Sequence, residues 1–219
     1  MSQPNTVKNI VFKIFEILYS HFGAQNWWPG ENELEIMIGA ILTQNTNWQN
    51  VEKAIKNLKE KTNLEPKLIY QLPLKKLAKI IKPSGFYNIK AKRLKEFLKF
   101  FLEEYNGKVE KMKKEDDTIL REKLLKIKGI GKETADSILL YALGKPFFVI
   151  DNYTKRIFLR HKLFEENKSY DEWQAFFTNN LPKDIKIYNE YHALLVKLAK
   201  TYCLKRPLCE KCPLKEIFF

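Results

Sequence analysis

The chain has 219 residues, of which 45% are hydrophobic and 30% charged, and its 39 Lys and Arg outnumber 26 Asp and Glu to leave a formal charge of +13. That length and composition exclude a disordered chain and suit one large domain or two small ones around a buried core, while the positive excess draws the protein to polyanions such as nucleic acid or anionic lipid. The first residues contain no apolar run of the roughly 7–15 residues a signal peptide needs, and no stretch of about 18 uncharged apolar residues occurs, so a cytoplasmic protein that crosses no membrane is expected.

Taken in chain order, the periodicity is helical nearly throughout. In "VKNIVFKIFEILYSHF" Ile10, Ile14 and Ile17 recur at four- and three-residue spacings beside Val11, Leu18 and Phe22, the stripe of an amphipathic helix that Gly23 can stop. After "NWWPG" the apolar centre Leu34 to Leu42 suits a helix buried on several sides. Four helical patterns follow, with Gly or Pro at several joints, down to "LREKLLKIK". "KETADSILLYALG" ends on Gly144, a residue suited to a left-handed cap. "PFFVID" reads either as one short strand or as a buried connection. Two more helical patterns precede "YNEYHALLVKLAKTYC" and a cysteine tail. No segment repeats, and the expected fold class is all-α with about ten helices.

"LKIKGIGKETA" (residues 125–135) places two of the chain's eight glycines two apart at the start of a helix. Gly129 and Gly131 permit unusual torsions and the approach of a ligand, and amides at a helix start form a nest for an anion. Lys126, Lys128 and Lys132 add charge, and Ile130 stands between the glycines. A phosphate contact is expected, of the kind that positions a protein on nucleic acid without reading sequence. A tight helical hairpin that binds nothing is the alternative. Asp151, ahead of "NYTKRI", reads equally as a helix N-cap. Trp27, Trp28 and Trp48 are indoles that either pack internally or offer faces to a cation. All three cysteines, Cys203, Cys209 and Cys212, lie in the tail, which argues for reduced thiols and raises metal binding.

The hairpin, followed by "FFVIDNYTKRI", resembles the helix-hairpin-helix (HhH-GPD) DNA glycosylase superfamily, in which the hairpin reads "LPGVGxxTA" and the aspartate sits in "VDTHVxR". Gly129, Gly131, Thr134, Ala135, Asp151 and Arg156 match, while Asn152 and Tyr153 depart from the family's "TH". "GAILTQNTNWQNVEKAI" and "SGFYNIKAKRLKE" are similar to two earlier family motifs, so the likeness spans about residues 34–160 in the expected order. It implies an endonuclease III-like protein with two helical lobes and a DNA-binding cleft between them. The six-helix lobe would run 34–145, and residues 1–33 with 146–219 would form the second. Asp151 is then the catalytic carboxylate, and Gly129, Ile130, Gly131, Lys128, Lys132 and Gln44 contact DNA, Gln44 filling the gap left by a flipped base.

Where strand-cleaving members carry a nucleophilic lysine, this chain has Glu133, which cannot form an imine; base removal without strand cleavage is therefore expected. Trp27, Trp28 and Trp48 are the expected base pocket, and "WWP", "LTQNT" and "KGIGKE" together are closest in character to the 3-methyladenine branch. The implied function is a monofunctional base-excision-repair glycosylase for alkylated purines. The alternatives are a bifunctional endonuclease III-like glycosylase and lyase on oxidised pyrimidines, or a non-catalytic DNA-binding module. The expected partner is double-stranded DNA carrying a damaged base, met by a monomer that is nucleoid-associated in a prokaryote. The family's iron-sulfur loop has four cysteines, and here Phe218 takes the fourth place. No cofactor is expected, with residual iron-sulfur or zinc binding at Cys203, Cys209 and Cys212 as the alternative and His192 as a conceivable extra ligand.

Overall fold

The computed structural model describes residues 4–218, with side chains from Ile10 onward. It divides into two compact units, one running Trp28–Lys145 and the other joining the residues up to Trp27 with those from Pro146 on. Thirteen α-helices and no strand occur among the described residues. None of these helices is long and apolar enough to cross a membrane.

The Trp28–Lys145 unit holds α2 (Glu33–Leu42), α3 (Trp48–Thr62), α4 (Pro66–Gln71), α5 (Leu74–Ile80), α6 (Tyr87–Tyr105), α7 (Val109–Lys114), α8 (Asp117–Lys126) and α9 (Lys132–Ser137), which continues as a π-helical turn, Ile138–Ala142. Eight helices stand where six were expected, because Pro73 separates α4 from α5 and left-handed Asn106 and Gly107 cut α6 from α7. Local chemistry sets the starts: Asn32 accepts from the Glu35 amide, Asn47 from that of Asn50, and Asp116 from those of Thr118 and Ile119. α2 forms the core of this unit. Met37, Ile38, Ile41 and Leu42 are wholly buried, and the helix packs on α3, α6, α9 and the π-helical turn.

The other unit holds α1 (Pro4–Phe22), α10 (Asn152–Arg160), α11 (Tyr170–Asn180), α12 (Ile185–Thr201) and α13 (Lys215–Phe218). α1 buries Val11, Ile14 and Leu18 against α12, sharing Ile14 with the isoleucine series, and ends where Gly23 adopts φ +69°. "PFFVID" forms no strand. It is an irregular connection whose Phe148, Val149 and Ile150 are buried, Phe148 stacking on Phe177 at 4.2 Å between ring centroids.

Candidate functional site

The two hairpin glycines prove to have different reasons to be glycine. Gly129 has φ +94°, and a Cβ there would lie 2.4 Å from the Arg93 Cγ, so both backbone and packing exclude a side chain. Gly131 has an ordinary φ of −93°, and an added Cβ would meet no atom within 4 Å. It leaves open space beside the start of α9, whose first intrahelical bond runs from the Ala135 amide to the Gly131 carbonyl and whose N-terminus receives no side-chain cap. Ile130 does not face outward as a contact residue. Its side chain is buried and its amide donates to the Ile127 carbonyl, so it anchors the turn from within. Lys126 and Lys128 are exposed, Lys132 is half-buried and Glu133 is exposed in the first turn of α9. Behind the hairpin, Arg121 of α8 grips the wholly buried Asp136 of α9 through two bonds of 2.6 and 3.1 Å. This charge pair fixes the angle between the two hairpin helices.

Three stretches far apart in sequence meet at this hairpin. Gln44, just beyond α2, donates from Nε2 to the Gly129 carbonyl (3.2 Å) and the Thr134 hydroxyl (2.9 Å), while its Oε1 accepts from Arg93 of α6. One turn earlier on α6, Lys90 is buried and donates from Nζ to the carbonyls of Leu42 (2.8 Å) and Ser84 (2.5 Å). Burial, with the Arg93 charge beside it, lowers the Lys90 ammonium to about 8. The "LTQNT", "GFYNIK" and "KGIGKETA" segments are thus one hydrogen-bonded body. Gln44 is held at both ends of its amide, by the hairpin at Nε2 and by Arg93 at Oε1.

Trp28 and Trp48 form an edge-to-face pair 5.2 Å apart, and Tyr141 of the π-helical turn lies 5.3 Å from Trp28. Gly39 of α2 lets both indoles close in, since a Cβ there would sit 3.3–3.4 Å from them. Trp48 donates from Nε1 to the Glu52 carboxylate at 2.8 Å. Trp28 and Trp48 are partly exposed while Tyr141 is buried, so the two indoles are the faces open to a flat or cationic guest. Trp27 belongs to the other unit.

In that other unit Asp151 is the N-cap of α10, its Oδ1 accepting from the Thr154 amide at 2.7 Å. Its Oδ2 lies 3.5 Å from Nε2 of His192 on α12, with only 12% and 7% of the two side chains exposed. Burial alone would push the Asp151 carboxyl up, but the His192 imidazole and the Thr154 amide outweigh it and hold it below the ordinary aspartate value. His192 thus faces Asp151 across the space between α10 and α12.

Cys203, Cys209 and Cys212 line one cavity of about 260 Å³ together with Arg160, His161, Leu198, Tyr202 and Pro207. His161 stacks on Phe218, the residue in the family's fourth cysteine place, at 3.9 Å. Arg160 donates to the Cys203 sulfur (3.2 Å) and to the carbonyls of Leu204 and Lys205, and burial pushes the Cys212 thiol up. Among the described residues no three His, Cys, Asp or Glu side chains are grouped to hold a metal ion. Three thiols do not supply the four thiolates of a [4Fe-4S] cluster, so the donor set does not fit one.

Sequence reading missed Arg93, Lys90, Tyr141 and Phe86. Phe86 is 66% exposed with φ +44°, a left-handed backbone that strains an aromatic residue, directly ahead of α6. Phe86, Lys90 and Arg93 lie in "SGFYNIKAKRLKE", whose likeness to a family motif does not single them out or distinguish a buried lysine from a solvated one, and Tyr141 lies in an apolar run with no such signal.

A family profile described as HhH-GPD superfamily base excision DNA repair protein matches residues 38–183. A Methanocaldococcus jannaschii protein named as a candidate DNA repair glycosylase is 53% identical over 208 residues, 94% of either chain. The crystal structure of the Helicobacter pylori 3-methyladenine DNA glycosylase, bound to 1,N6-ethenoadenine, is similar with a TM-score of 0.74 and 35% identity over 87% of this chain and 97% of that one. A non-covalent endonuclease III–DNA complex gives a TM-score of 0.83 at 23% identity, covering 100% and 96%, a likeness of fold.

Proposed function

Because the chain belongs to the HhH-GPD superfamily of base excision DNA repair proteins, we propose that it is a monofunctional DNA glycosylase that releases alkylated purines from double-stranded DNA, with Asp151 as its catalytic carboxylate. The observation that carries this reading is the state of Asp151: a largely buried carboxylate held ionised by an imidazole and a backbone amide. Cleavage of the C1′–N bond places positive charge on the sugar, and an anion of fixed position lowers the energy of that state. The bonding pair of the C1′–N bond leaves with the base, water adds hydroxide to C1′, and the released proton ends on the base or in solvent.

The hairpin supports DNA docking. Gly131 offers room for a phosphate at the start of α9, and the exposed Lys126 and Lys128 supply charge. Gln44, tied to α6 and the hairpin, and the exposed Phe86, directly ahead of α6, are suited to occupy the gap left by an extruded nucleotide. Trp28, Trp48 and Tyr141 form an aromatic surface that favours a base carrying positive charge, as N3- or N7-alkylated purines do. Glu133, exposed where a lyase needs an amine, supports hydrolysis without a Schiff base. Lys90 offers no substitute, because its amine is buried under two carbonyls.

A panel of duplexes, each with one defined lesion, tests the reading. Free 3-methyladenine should be released without strand breaks until alkali is added, and Asp151→Asn should abolish release while binding persists. Incision of an oxidised-pyrimidine duplex with a borohydride-trappable adduct, and no methylpurine release, would refute it.

A further inference from the structure

We propose that His192 is a positioning residue for Asp151, pairing with its second carboxylate oxygen so that the anion is held in one orientation. The inference rests on the reading of Asp151 as the catalytic carboxylate. Capping α10 requires only Oδ1, which the Thr154 amide occupies at 2.7 Å. Capping leaves Oδ2 unassigned, and a carboxylate that remains in a largely buried place needs a second partner. His192 provides it from a different helix, at 3.5 Å.

The surroundings argue that this histidine is not simply a packed aromatic. It lies on the apolar face of α12 among the buried Tyr188, Tyr191 and Leu195, where an imidazole costs more than a phenyl ring unless a polar group meets it. Asp151 is the ionisable group that α10 presents to it. Arg156 of the same helix turns its Nη2 to the Ala199 carbonyl, Lys200 lies over the Tyr153 ring, Glu190 accepts from the Gln25 amide, and on the α1 side the Tyr191 hydroxyl donates to the Val11 carbonyl. With Oδ1 bonded to the Thr154 amide and Oδ2 3.5 Å from the imidazole nitrogen, rotation of the carboxylate about its Cβ–Cγ bond lengthens both contacts. An anion that cannot rotate presents the same lone pairs to the sugar at every turnover, which is the preorganisation that electrostatic catalysis requires.

The test uses the full-length protein and a duplex containing one alkylated purine, with single-turnover base release measured across pH and binding measured on a duplex carrying an uncleavable abasic analogue. His192→Phe keeps the ring volume and removes the nitrogen; His192→Gln keeps a neutral N–H donor. His192→Phe should slow release about tenfold or more with affinity unchanged. His192→Gln should recover part of that rate, and in both variants the acid limb of the profile should move to higher pH. A His192→Phe protein with wild-type rate and acid limb overturns the proposal. If that variant does not fold, His192→Gln decides alone: wild-type rate and limb refute the proposal, and a slower rate with a displaced limb supports it. Asp151→Asn separates the two claims. If it keeps turnover, the reading of Asp151 fails; if it abolishes turnover while both His192 variants match the wild type, only the role of His192 fails.

Discussion

The Arg93 side chain lies across Gly129, so that a Cβ on the glycine would fall 2.4 Å from the Arg93 Cγ. The same arginine holds Gln44, whose amide bonds the Gly129 carbonyl. Gly129 therefore belongs to the protein's own packing and Gly131 to the surface beyond it. Gly129→Ala should lower stability by about 1–3 kcal/mol through the left-handed torsion and the collision. Gly131→Ala should change stability by less than about 0.5 kcal/mol while weakening DNA affinity several-fold. Denaturant unfolding beside a binding titration checks both, and equal destabilisation by the two would contradict this division.

The Arg121–Asp136 pair makes a separate prediction about the hairpin. Arg121→Met leaves the wholly buried Asp136 without its guanidinium and should cost about 3–5 kcal/mol. Replacing both residues, Arg121→Met with Asp136→Leu, should restore most of the loss, because two uncharged side chains remove the desolvation cost along with the attraction. Thermal unfolding of the single and double variants measures the difference.

The Trp28 and Trp48 pair should act on charge selectivity. Trp48→Ala removes one indole face and should reduce release of a cationic methylpurine relative to a neutral lesion by about 0.5–2 kcal/mol of transition-state energy. Glu52→Gln keeps the Trp48 ring but alters its anchor, and it should have a smaller effect in the same direction. A uniform loss across neutral and cationic bases would show the ring to be a packing residue.

The depressed Asp151 carboxyl also gives a pH dependence of stability. Its folded value lies below the ordinary 3.8, so it contributes stability that is fully present above that value and is lost as the pH falls through the lower folded one. Asp151→Asn should flatten this part of the acid-unfolding curve. Urea midpoints taken between pH 5 and pH 2 measure it, and an unchanged acid slope would show that the carboxyl is not stabilised in the folded state.

Much of this protein was legible from residues near one another in sequence. The all-α class, the helical hairpin, the Gly23 stop and the Asp151 cap all rest on contacts within about four residues, where backbone torsion and a single side chain decide the outcome. Helix number was less legible, because Pro73 breaks a segment whose apolar spacing runs on through it and the short α7 carries too few apolar residues to show a period. The connection through Phe148, Val149 and Ile150 has the composition of a strand, yet its neighbours are helices and it has no strand to pair with among the described residues.

The partners of the candidate site lay beyond such reading. Gln44 meets Arg93, Gly129 and Thr134 across 49, 85 and 90 residues, and Asp151 meets His192 across a separate helix. Lys90 looks in sequence like any member of a solvated basic face, but packing of α6 on α2 buries its ammonium under two carbonyls. The amino-acid sequence by itself determined which residue caps α10 and which glycines form the turn, because torsion and capping act locally. Only the tertiary structure decided what holds the anion in place and what closes over the turn, because those contacts exist only once distant helices have buried their apolar faces together.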